Sequence, residues 1–94
     1  MRVRWLRKAL RNLDEEATYI ATDDPAAARL LVERVLQAVA MLEEQPGIGR
    51  PGRVPRTREL VVLKTRYIVP YRVRGEVVEV LRVFHTSRRL PHRW

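Results

Sequence analysis

The chain contains no cysteine, which excludes a disulfide framework and a thiolate zinc site. The lack also fits a reducing compartment, so the cytoplasm is the expected location. Histidine is nearly as scarce, with two residues, and Asp23-Asp24 is accounted for by a helix start, so no zinc or calcium site is expected. Ser87 is the single serine, two residues after His85 with no carboxylate near it in sequence, which argues against a nucleophilic triad. No apolar run approaches the roughly 18 residues of a membrane span. The opening MRVRWLRKALRNLDEE is too densely charged for the apolar core of a signal peptide. An integral membrane protein or an exported one is therefore not expected. No cofactor is implied either. Gly47-x-Gly49-x-x-Gly52 matches a dinucleotide-binding fingerprint by letters, but it follows a helical pattern instead of a strand.

What is present suits one small globular domain, residues 1–94, with 46% hydrophobic residues and a formal net charge of +8. The charge is uneven. Residues 1–47 hold 7 basic against 8 acidic residues, whereas residues 48–94 hold 12 against 3. Of the 19 basic residues, 17 are arginine, whose planar fork matches phosphate and carboxylate. A genome that favours arginine codons would account for much of that ratio, but not for the placing of the net positive charge in one half. A polyanionic partner, nucleic acid or acidic protein, leads the candidate classes.

Periodicity divides the chain at the same point. Leu6, Ala9, Leu10, Leu13, Ala17 and Ile20 mark an amphipathic helix over roughly residues 5–21, with Arg7, Lys8, Arg11, Asp14, Glu15 and Glu16 on its remaining faces. Asp24 can cap a second helix and Pro25 suits its first position. Ala28, Leu31, Val32, Val35, Leu36, Val39 and Leu42 continue that helix to the Gln45-Pro46-Gly47 break. A loop rich in Gly, Pro and Arg follows. Three strand-like runs come next: Glu59–Leu63, Tyr67–Val73 and Val77–Phe84, joined by short connectors that suit antiparallel hairpins. Pro70 cannot donate to a ladder, so the middle strand must bulge there or turn that position away from a partner. Arg2–Trp5 can add a further strand. The expected fold is α+β, in the order (β)ααβββ, with a helical hairpin on one face of a small, mainly antiparallel sheet.

Alternation along the last run places Val78, Val80, Arg82 and Phe84 on one face and Glu79, Leu81, Val83 and His85 on the other. Cleavage of RNA by its own 2′-OH needs a base, an acid and cations for the phosphorane charge. His85 is the candidate acid or base and Glu59 a weaker base. Arg66, Arg82, Arg88 and Arg89 are the candidate cations. Tyr67 and Tyr71 share a strand face and are expected to pack in the core, while Trp5 and Trp94, near the chain ends, are expected to be partly exposed.

The segments Tyr19-Ile20, Asp24–Ala28, Pro46–Gly52, Arg58–Val61, Tyr67–Val73 and Val80–His85, with Arg88-Arg89, resemble the RelE/ParE superfamily of type II toxin–antitoxin toxins over nearly the whole chain. That resemblance implies a compact toxin that arrests bacterial growth. It implies neutralisation by a cognate antitoxin that wraps an extended segment over helices and sheet. Contact with operator DNA would then come only indirectly, through the antitoxin. The superfamily holds two activities on one fold: ribosome-dependent cleavage of messenger RNA without a metal, and poisoning of DNA gyrase. Ribosome-dependent members carry an arginine directly after the strand tyrosine corresponding to Tyr67, and here that position is Ile68. Their paired lysines fall on Leu60 and Val62, and the arginine or tyrosine after His85 is Thr86. His85 itself matches a histidine of some nuclease members. The substitutions favour the ParE-like activity, with DNA gyrase as target. In the alternative, the ribosome and its message are the target, and His85, Arg82, Arg66 and Arg88 are the catalytic set. A degenerate member serving mainly as antitoxin ligand is a third, weaker possibility.

Overall fold

Short-range alternation outweighs helical periodicity at the start of the chain. The computed structural model, which describes Met1–Trp94, opens on strand β1 (Arg2–Trp5) before helix α1 (Arg7–Ala21). Val3 and Trp5 turn toward the core, so Arg2 and Arg4 turn away from it. Helix α1 buries Ala9 and Leu13, and with them Glu16, which sequence spacing had assigned to a polar face. Glu16 lies three residues past Leu13 and four before Ile20, on the edge of the apolar stripe.

Helix α2 (Pro25–Ala40) starts as its residues require, with Asp24 Oδ1 accepting the Ala27 N–H at 3.1 Å and Pro25 at the first turn. It buries Ala28, Leu31, Val35 and Val39. It stops short of the expected break, because Met41–Glu43 tightens into a 3₁₀ turn that buries Leu42 completely. Each such buried Val or Leu stabilises the fold by roughly 1.5–3 kcal/mol.

The sheet adds β2 (Arg50–Pro51), β3 (Arg58–Val61), β4 (Tyr67–Arg74), β5 (Val77–Val80) and β6 (Phe84–His85). Its order is β1-β5-β4-β3-β2, with β6 continuing β5 along β4. Only the β1–β5 pair is parallel. The helical hairpin covers one face, against Leu60, Val62, Tyr67, Val69, Tyr71, Val78, Val80 and Val83. This is the expected α+β arrangement, with two additional short strands.

The single last strand that alternation predicts is broken by a bulge. Three steps along β4, from Tyr71 to Ile68, match four along its partner, from Val80 to Phe84. The carbonyl of Pro70 accepts both the Leu81 and the Arg82 N–H, at 2.8 and 3.4 Å. Pro70 therefore sits in a central strand at the place where its missing N–H disrupts least. Beyond the bulge the faces exchange. Val83 joins Val78 and Val80 in the core, His85 pairs with Tyr67 on the helix side, and Phe84 pairs with Ile68 on the helix-free side. The expected grouping of Val80 with Arg82 and Phe84 is thus corrected.

The loop from Pro46 to Thr57 is tied down from beneath. The Tyr71 hydroxyl, fully buried, donates to the Pro46 carbonyl at 2.7 Å and accepts the Gly49 N–H at 2.9 Å. A Cβ at Gly49 would lie 2.6 Å from the Tyr71 ring, so this glycine serves a close approach and the fingerprint match is accidental. Glu59 completes the anchor. Its buried carboxylate accepts from the Arg50 guanidinium and from the Arg53 N–H at 2.9 Å. Burial raises its pKa, but these donors outweigh burial and hold the carboxyl below its ordinary value. Glu79 is likewise lowered, chiefly by the Arg72 guanidinium at 2.7 Å.

Tyr71→Phe leaves the Gly49 N–H and the Pro46 carbonyl without their partner. It should cost about 1–3 kcal/mol in urea denaturation, with little change in the m-value. Because Glu59 and Glu79 have lowered pKa values when folded, their contribution is complete above the unfolded carboxylate pKa and vanishes as pH falls through the folded values. The urea midpoint should stay level down to about pH 5 and fall below about pH 4. Glu59→Gln should flatten part of that fall while lowering stability at neutral pH.

Candidate functional site

The bulge decides which of the candidate residues meet. It turns His85 onto the helix side, where its ring stands edge-on to Tyr67 with centroids 5.0 Å apart. The Tyr67 hydroxyl donates to Glu16 Oε1 at 2.7 Å, and Arg88 Nη1 lies 2.7 Å from Glu16 Oε2. Both oxygens of this buried carboxylate are thereby engaged. Burial, then the bond to Glu16, push the Tyr67 phenol well above its ordinary pKa, so it stays protonated at neutral pH. The Ser87 N–H donates to His85 Nδ1 at 3.1 Å and the Ser87 hydroxyl lies 2.6 Å from the same nitrogen. A backbone donor on Nδ1 leaves the proton of the neutral ring on Nε2.

His85, Arg66 and Arg88 line one cavity of about 430 Å³ with Glu16, Tyr19 and Tyr67. Three of the four candidate catalytic residues are thus brought together. Arg82 is not among them. It donates to Asn12 Oδ1 at 2.8 Å and to the Trp94 carbonyl oxygen at 3.0 Å, and its guanidinium carbon lies 4.6 Å from the centre of the Phe84 ring. Asn12 also accepts the Val83 N–H, so it covers the ladder edge beyond the end of β1. Arg82 is a structural tie, not a free cation. Glu59, the weaker base candidate, lies on β3 holding the loop. Glu16 was missed. A carboxylate beside a helix's apolar stripe was the available signal.

The helix-free face of the sheet differs in character. Ile68 and Pro70 are buried there, and Ile68 is only 1% exposed. The chain's last residues supply cover: the Trp94 ring lies 5.5 Å from Phe84, and its indole N–H donates to Thr57 Oγ1 at 3.3 Å. Trp5 and Trp94 are both half-buried, as expected, and Tyr67 and Tyr71 are core residues.

A second cavity, of about 590 Å³, runs between α2 and β3 and is mainly apolar. Met41, Ile48, Val61 and Leu63 line it, with Leu63 79% exposed, and its charged lining residues are Arg34, Arg50, Lys64 and the buried Glu59 that Arg50 pairs. Beside it the sheet has an open edge. The Val62 N–H donates inward to the Tyr67 carbonyl, so alternation turns the backbone groups of Val61 outward, past the end of β2. An apolar groove beside an open strand edge has the features of a surface that takes an added strand.

Comparison with known proteins agrees with this architecture. Residues 3–90 match the family described as ParE toxin of type II toxin-antitoxin system, parDE. The protein Y4kP of Sinorhizobium fredii (strain NBRC 101917 / NGR234), named as a candidate toxin, is 49% identical over 90 residues, covering 96% of this chain and 93% of its own. A solved structure titled Chromosomal ParDE TA system from P. aeruginosa superposes with a TM-score of 0.84 at 30% identity, over 90% of this chain and 95% of that one. No helix is long and apolar enough to cross a membrane. The chain belongs to the ParE toxin family, the toxin component of a type II toxin–antitoxin module, which implies a cognate antitoxin as partner.

Proposed function

We propose that this toxin arrests growth by binding DNA gyrase in the cytoplasm, acting as a protein ligand with no chemistry of its own. The observation that carries this is the state of the phosphate-handling positions. Ile68, where ribosome-dependent members have an arginine, is buried under neighbouring side chains and offers no charge. Arg82 is consumed by Asn12 and the Trp94 carbonyl, and Arg88 by the buried Glu16. A cleavage site left with Arg66 as its one unpaired cation has less to set against the phosphorane charge, and each lost cation costs several kcal/mol of barrier lowering. The family description, which names the parDE system, points the same way.

One observation favours the nuclease alternative: His85, Arg66 and Arg88 share a cavity. His85 has no free base beside it there, since Tyr67 is held protonated by burial and both Glu16 oxygens are bonded. The antitoxin, in the same proposal, lays an extended segment with apolar and acidic side chains along the α2–β3 groove. Apolar anchors meet Met41 and Leu63, acids meet Arg34 and Lys64, and backbone groups meet the open edge of β3.

Two measurements test these statements. Purified toxin should block supercoiling by DNA gyrase and leave ribosome-bound message intact, and His85→Ala should leave the gyrase effect within about twofold. Cleavage of A-site message that His85→Ala abolishes would overturn the gyrase proposal. Leu63→Arg should weaken the complex with the antitoxin on the order of tenfold or more in calorimetric titration, while the toxin's own urea midpoint stays unchanged.

A further inference from the structure

The helix-free face has a second region, beyond the part closed by Trp94. Strand alternation places Arg2 and Arg4 of β1 and Arg72 and Arg74 of β4 on it, either side of β5. Register aligns Arg4, Glu79 and Arg72 in one row and Arg2, Val77 and Arg74 in the next. With strands about 4.8 Å apart and alternate residues about 6.6 Å apart, the four Cα atoms mark a rectangle of roughly 10 by 7 Å. Arg74 belongs also to a neighbouring depression that contains Arg56 and Arg93, so the basic surface continues past β4. Glu79 is the only carboxylate lining either depression. It lies 2.7 Å from Arg72 and 3.6 Å from Arg74, orienting two guanidiniums while cancelling one charge of six.

We propose that this face docks the phosphate backbone of duplex DNA, giving the toxin a direct and sequence-independent contact with DNA. Three observations select that occupant. Guanidinium forks match phosphate oxygens, and every basic residue of the face is an arginine. An acidic protein segment would need apolar anchors beside the charge. Of the exposed large apolar residues only Val73 lines these depressions, whereas Met41, Ile48, Val61 and Leu63 gather in the α2–β3 groove. A single strand would need a free aromatic platform, yet Phe84 and Trp94 at the margin pack against each other, with ring planes 38° apart. What remains is backbone contact without base readout. The proposal does not rest on gyrase as target, and it holds or fails under either activity.

The test is fluorescence anisotropy with a labelled duplex of about 20 base pairs that lacks any operator sequence. The wild-type toxin should bind, with log affinity falling against log salt at a slope of about −3 to −5, near −0.9 per phosphate contact. The triple variant R2Q/R4Q/R74Q should lose about tenfold or more and shed about 2 to 3 from the slope. R7Q/K8Q/R11Q on α1 changes net charge equally and should lose much less. Arg2→Gln alone, at an exposed position, should shift affinity and slope in the same direction, which separates docking from misfolding in the triple. Absence of wild-type binding at low salt, or equal losses in both triples, would overturn the proposal. So would competition by a polyglutamate peptide as effective as that by duplex, which would make the face a protein site.

Discussion

One carbonyl governs this structure. Pro70 stands in the central strand with no N–H of its own, and its oxygen receives two consecutive N–H groups from the opposing chain. The extra residue this admits reverses the facing of everything after it. Val83 closes the core, His85 comes to lie against Tyr67, and Phe84 is left on the opposite face as a seat for Trp94. Without the bulge His85 would point away from the helices. Arg82 and Phe84 would then have to enter a core built of Val and Leu, where an unpaired guanidinium is prohibitively costly. The sheet, the histidine cavity and the anchorage of the chain's end therefore follow from one local irregularity.

Three buried carboxylates do the remaining organising, each at a different junction. Glu16 joins α1 to the segment after β6 through Arg88 and to β4 through Tyr67. Glu59 fastens the Pro46–Thr57 loop to β3, and Glu79 gathers arginines across β4 and β5. A buried carboxylate is tolerated only when it is bonded: both oxygens of Glu16 and of Glu59 have partners, and Glu79 is held through Oε1. Each of these carboxylates cancels one positive charge of the arginines it holds. The net charge of +8 thus overstates what the surface offers, and the arginines that remain available matter more than their total.

The free surface sorts into two kinds. The groove between α2 and β3 is apolar, has an open strand edge and is edged by a few cations, which suits a peptide segment. The β1–β5–β4 region of the helix-free face is arginine-rich and poor in apolar anchors, which suits phosphate. A small toxin that must be silenced by one partner and act on another benefits from surfaces with different chemistry, because each can be bound without competing for the other's contacts. This chain carries both surfaces, and its fold by itself selects no target.

Much of this was legible along the chain. The apolar repeat of Leu31, Val35 and Val39, the Asp24-Pro25 start and the Val-rich runs after Gly47 carry local signals of period and capping, which act over one or two turns or a hairpin. They determined the helical hairpin, the antiparallel strands and the burial of Tyr67 and Tyr71. They also showed that Pro70 had to be accommodated, without saying how. What the sequence could not convey is pairing between distant positions: the shared Pro70 carbonyl, the parallel union of Arg2–Trp5 with Val77–Val80, and the bond of Glu16 to Tyr67, 51 residues away. Arg82 and Arg88 look alike in sequence as candidate cations. Only the fold shows that Asn12 and Glu16 hold them. Sequence by itself determined the fold class, the family and the sign of the surface. Tertiary structure decided which charges are free, because a charge's partner is set by register and packing, not by its neighbours in the chain.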